Sequence, residues 1–208
     1  MHLRLSGAPV RSRSRGLLVA ALTAVATAGC SADGVTAPRA LPVTVSGTLT
    51  NRSGSAIPAN ARVVVLWAGD DGSGDYAYVF GEGTVDASTN RFTITFDRDV
   101  PSAALLGDGL GVGFVVLTTD ADLSEGRVPD AYDYASNVIG VTGQHAVIFL
   151  NAAPRLFASD WPSNFRRGYN VGRGIDLPGT FDGFAPADPT SMELIVDDLA
   201  DIEVVNWT

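Results

Sequence analysis

The chain has 208 residues, with 23 acidic and 14 basic side chains and a formal net charge of −9. Every basic residue is arginine, the one cysteine is Cys30, and the histidines are His2 and His145. Lysine Schiff-base chemistry, an internal disulfide and a Cys/His zinc site are thereby excluded, and the acidic excess argues against nucleic acid as a partner.

Arg4, Arg11, Arg13 and Arg15 lead into an uncharged apolar run over 17–28, and small residues then precede Cys30. A basic head, a short apolar run and a small-residue cut site form the pattern of a secretory signal peptide. The run is about a dozen residues, short of the ~20 that cross a bilayer. Thr27-Ala28-Gly29-Cys30 resembles the lipobox of bacterial lipoproteins, with Thr27 where an aliphatic residue is usual. The resemblance implies a lipoprotein signal helix removed as residues 1–29, a Cys30 bearing palmitate-like acyl chains, and a membrane partner held through that lipid. It places the chain in the bacterial cell envelope. Ser31 favours the outer membrane of a Gram-negative cell, and otherwise the outer face of the cell membrane is expected. All 23 acids and ten arginines follow the cut site, so the segment from Cys30 onward carries −13.

Residues 30–40 are small, polar and proline-containing, and read as a flexible tether. Residues 41–208 read as a single domain. Val43, Val45, Gly47 and Leu49 alternate with polar neighbours, as in a half-buried strand. The run 62–68, RVVVLWA, suits a central strand covered on both faces. Residues 76–85 alternate loosely, and 91–96 place Phe92, Ile94 and Phe96 on one side. A strand is predicted over 111–119, with Gly107, Gly109, Gly111 and Gly113 forming a loop and an edge glycine pair. Residues 137–142 and 145–150 predict a hairpin closed by Gly143-Gln144. An edge strand over 169–177 and closing strands over 191–196 and 202–207 complete the series. No window holds a helical period beyond one turn.

Short strands separated by turns predict an all-β fold, an antiparallel Greek-key β-sandwich with long loops. Val45-Ser-Gly-Thr-Leu, Gly54, Ile57-Pro58, Val63-Val-Val-Leu and the Thr/Asp-rich turn before Phe92 make residues 43–96 similar to a prealbumin-like or carboxypeptidase-regulatory-like module. That resemblance implies the same sandwich in an accessory or scaffold role and carries over no catalytic residue.

Asp120, Asp122, Ser124 and Glu125 put oxygen ligands at near-alternate positions before Gly126, which resembles the opening of a calcium loop that Asp130 and Asp133 would complete. Calcium is the one candidate cofactor. Trp161, Tyr169 and Arg167 lie in an aromatic- and arginine-containing stretch with Phe165, Phe181 and Phe184, and are candidates for holding a glycan or protein partner in the envelope. His145 is expected to hydrogen-bond to backbone at a strand end, and no catalytic residue is assigned. The function expected is a membrane-anchored extracytoplasmic lipoprotein with a binding or envelope-structural role. The alternative is a hydrolase of envelope glycans built on two carboxylates.

Overall fold

A computed structural model describes residues 40–70, 75–106, 109–128, 138–152, 165–174 and 185–197. The expected signal segment, Cys30 and the tether up to residue 39 lie outside the described residues, as do Asp130, Asp133, Trp161, Phe181, Phe184 and the strand expected over 202–207. The described residues form eleven strands and one 3₁₀ turn at Ser102–Ala104. They are β1 (Val43–Asn51), β2 (Arg62–Asp70), β3 (Asp75–Asp86), β4 (Arg91–Phe96), β5 (Leu110–Thr118), β6 (Gly126–Val128), β7 (Val138–Thr142), β8 (His145–Leu150), β9 (Gly168–Arg173), β10 (Ala185–Pro186) and β11 (Met192–Val196).

The all-β expectation holds, and the sandwich does not. Neighbours run β5, β2, β3, β4, β1, β11 and β7, and β7 pairs back onto β5 to close a seven-stranded barrel. β8, β9 and β10 continue outward from β5, and β6 pairs β3. Three features explain closure where alternation alone suggested two flat sheets.

The first is a bulge in β3. Its register against β2 shifts between Val64/Leu66, and Gly81 there has φ +93°. Tyr78 and Phe80 point inward before the bulge and Val85 after it, so the inward parity flips. This is the physical reason that 76–85 alternates loosely, because a bulge bends and twists its strand.

The second is close approach at glycine. A methyl at Gly47 would fall on the Met192 carbonyl, and one at Gly83 on the Thr93 carbonyl. Bare backbone at these inward sites lets β1 and β3 curve around β4.

The third is a slip in place of the expected hairpin. β7 and β8 do not pair with each other. Both run antiparallel to β5, with Val116 opposite Val141 and Gly113 opposite Val147, so three steps along β5 match six along its partner. The extra residues carry Gly143, and the ladder gap is filled by Thr142, whose Oγ1 accepts from the Val115 N–H at 3.2 Å. Past the slip the two segments part company, β7 turning to β11 and β8 to β9.

The interior is filled by side chains. Val63, Val65 and Trp67 of β2 meet Phe92, Ile94 and Phe96 of β4, with Met192, Leu194 and Val196 of β11 and Tyr169 of β9. Trp67 donates through Nε1 to the Phe80 carbonyl at 2.7 Å and stands edge-on to Phe96 and Tyr169. Gly111 and Gly113 were expected at an edge. They lie instead on β5, Gly113 between Trp67 of β2 and Val147 of β8 and Gly111 opposite Phe149 of β8, and both make room for the Trp67 ring. The other faces of β2 and β5 are covered too. Val64, Leu66, Val79 and Val116 pack under Leu123, while Phe114, Ile148 and Leu150 pack under Phe165. The uninterrupted apolar run of β2 reflects that double burial.

Candidate functional site

Two connections meet at one end of the barrel. After Phe96 the chain runs through 97–105, and the far ends of β8 and β9 lie beside it. Between them lies a cleft of about 410 Å³. Val100, Leu105, Phe149, Leu150, Tyr169 and Leu41 give it an apolar surface, and Asp99, Ser102, Asn151 and Arg167 are its polar side chains. The floor is fixed by Tyr169, whose hydroxyl donates to the Arg98 carbonyl at 2.7 Å and whose ring stacks on Phe96 at 4.3 Å. Burial first, and then the nearby Asp99 and Asp97, push the Tyr169 hydroxyl far above its ordinary pKa; it serves as a neutral donor. Asn151 is seated by Gly109, whose φ of +85° and missing side chain admit the Asn151 amide. None of the four polar side chains of the cleft has a hydrogen-bond or ion-pair partner among the described residues.

Arg167 and Tyr169 therefore share one cleft, in different roles. Arg167 is exposed, whereas Tyr169 is 1 % exposed and belongs to the core. Phe165 is likewise buried. The aromatic platform expected on this stretch is, in its described part, interior packing: an aromatic in a sequence reads the same whether its face is wet or dry. Trp161 lies outside the described residues. Asp99 and Ser102 carried no sequence signal, since neither sits in a motif; only the length of the 151–170 connection pointed to this region.

The acidic loop after β5 is organised around an arginine. Arg62 Nη2 donates to the carbonyls of Asp120 at 2.7 Å, Ala121 at 3.3 Å and Leu123 at 2.7 Å, and its Nη1 lies 3.1 Å from Glu82. A guanidinium thus takes up the inward-turned carbonyls of the loop. Asp120 Oδ1 accepts the Asp122 N–H at 2.8 Å, Ser124 donates its N–H to the Asp122 carbonyl, and Glu125 pairs with Arg98. The loop is also pinned by Leu123, which is 4 % exposed. Among the described residues no three His, Cys, Asp or Glu side chains gather closely enough to hold a metal ion. Protein donors meet the carbonyls of Asp120, Ala121, Asp122 and Leu123 and the carboxylates of Asp120 and Glu125.

In their described parts the connections after β5 and after β8 line two different depressions rather than one site. Arg167 and Asn151 line the cleft, and Glu125 lines a smaller hollow of about 140 Å³ with Glu82, Thr95 and Arg98. Arg98 joins them, with its carbonyl on Tyr169 and its guanidinium 5.2 Å above the Phe80 ring. His145 stands apart at the start of β8, opposite Arg173. Its Nδ1 is buried and has no hydrogen-bond partner, contrary to the backbone bond expected. No protein-family model matches this chain, and no curated protein or solved structure matches it significantly.

Proposed function

We propose that this protein is a lipid-anchored extracytoplasmic binding protein whose ligand occupies the cleft beside Tyr169. The anchor rests on the lipobox-like Thr27–Cys30 and the tether-like composition of 31–40. Two or three acyl chains hold a protein on a membrane, at ~0.8 kcal/mol per buried methylene. The binding role is carried by one observation: four polar side chains without partners among the described residues surround an apolar floor in a single concavity. That combination is the usual make-up of a ligand site. Leu41, at the start of the expected domain, forms part of the cleft.

A carboxylate-pair hydrolase needs two facing acids. Asp99 is the one acid among the described residues of the cleft, which weighs the balance toward binding.

The test uses the full chain expressed in bacteria with an alkyne-tagged fatty acid. Label that enters the wild type and is absent from Cys30→Ser supports the anchor; unlabelled wild type overturns it. The detergent-solubilised protein is then screened by thermal shift against a cocktail of small polar fragments. Stabilising hits abolished by Ser102→Trp, which fills the cleft, support the binding role, and an empty screen overturns it.

A further inference from the structure

We infer that the cleft takes a small zwitterion, a free amino acid or short peptide with an apolar side chain; this rests on the binding role proposed above. Among the described residues the cleft carries one anion, Asp99, and one cation, Arg167, and the two do not pair with each other. The ion pairs among the described residues are Arg62–Glu82 and Arg98–Glu125. Two opposite charges that line one cavity yet stay apart leave each able to take an opposite charge from a ligand. A ligand bearing only negative charge would meet Asp99 unfavourably, and one bearing only positive charge would meet Arg167. A molecule with both signs suits both walls at once.

The remaining chemistry agrees. Ser102 and Asn151 offer neutral donors and acceptors for an amide or carboxylate. The apolar surface of the half-buried Leu105 and the exposed Leu41 offers burial to a hydrocarbon side chain. A sugar would need an open aromatic face to stack on, and the two rings beneath the cleft, Phe149 and Tyr169, are 3 % and 1 % exposed, with their ring centroids 5.0 Å apart.

The experiment is isothermal titration of the detergent-solubilised full chain with four probes: L-leucine, N-acetyl-L-leucine, L-leucine amide and N-acetyl-L-leucine amide. Leucine should bind most tightly, with each blocked end weakening it about tenfold, which is the worth of ~1.4 kcal/mol per charged contact. Asp99→Asn should erase the cost of the N-acetyl group, and Arg167→Gln the cost of the amide. Both residues are exposed and have no partner among the described residues, so neither variant threatens the fold. Equal affinity of all four probes, lost in Ser102→Trp, would overturn the zwitterion while leaving the cleft a binding site. No binding by any probe at millimolar concentration, with fragment hits retained, would do the same. An empty fragment screen as well would overturn the binding role itself.

Discussion

His145 and Asp86 show how single side chains set the acid tolerance of this fold. Burial holds the His145 imidazole below its usual pKa of 6.5, Arg173 adds to the effect, and Glu193 opposes it. The unfolded chain therefore binds this proton more readily than the folded one. Stability rises with pH through that window and is lost as pH falls below about 6.5, levelling off beneath the folded pKa. His145→Gln removes the titration, so its Tm should fall less than that of the wild type between pH 7 and 5; parallel curves in that range would refute the assignment. Asp86 acts lower down; its pKa is shifted in the same direction, but because hydrogen bonds favour its charged form. Hydrogen bonds from the Ser88 side chain first, and then from Thr89 and the Ser88 backbone, hold its carboxyl down to about 2 from 3.8. Its contribution is present above pH 4 and is lost only as pH drops toward 2. The two groups thus act in separate windows of an acid titration. Neither was legible in the sequence at this level. A histidine after Gly-Gln gives no sign of whether Nδ1 will meet a carbonyl, and Asp86 was visible only as part of a Thr/Asp-rich turn.

At the scale of the element, β5 explains most of what sequence reading recovered and most of what it missed. Inward and outward alternation follows from chain geometry alone, so β1, β2 and β4 were readable with their buried faces, including Phe92, Ile94 and Phe96. Pairing is a matter of distant partners. Gly143-Gln144 has the chemistry of a turn, and a three-residue slip uses the same chemistry, so a hairpin and a kinked strand are written alike. The glycines of β5 are a similar case: they serve the Trp67 ring of a neighbouring strand, about which local sequence is silent. An added methyl at Gly113 would stand 2.7 Å from Val65 Cγ1 and 2.9 Å from Trp67 Cδ2, and Trp67 is held by its bond to Phe80. Gly113→Ala should therefore cost about 1–3 kcal/mol of overpacking in urea unfolding, with altered Trp67 fluorescence. A loss below the error of the measurement would mean that the ring is free to move. The cleft was half legible for the same reason. Arg167 and Tyr169 come from the connection whose length drew notice, whereas Asp99 and Ser102 join them only through the β4–β5 connection folding across the barrel end.

At the scale of the whole described fold, the decisive contact is the one that joins its first and last strands. β11 runs parallel to β1, with Gly47 opposite Met192, and its other edge meets β7 at Leu194 opposite Thr142. These partners are far apart in sequence, so closure demands a large loop entropy and comes with slow, non-local folding. It also decides the site. The ring carries β1 and β4, from which Leu41 and the Asp99–Ser102 wall extend, while β8 and β9 hang from β5 and supply Asn151 and Arg167. If the ring opens between β11 and its neighbours, β1 loses one of its two edges and the walls lose their common frame. Leu194 is fully buried on a strand paired along both edges. Leu194→Pro removes a backbone donor there and should cost at least ~3 kcal/mol, abolishing near-UV circular dichroism, cooperative unfolding and fragment binding together. Leu194→Ala keeps the backbone and should cost about 2–5 kcal/mol while retaining binding at low temperature. A proline variant that kept the wild-type Tm and its ligand would show that β11 is not what closes the barrel, and the cleft would then have to be framed by β5, β8 and β9 alone.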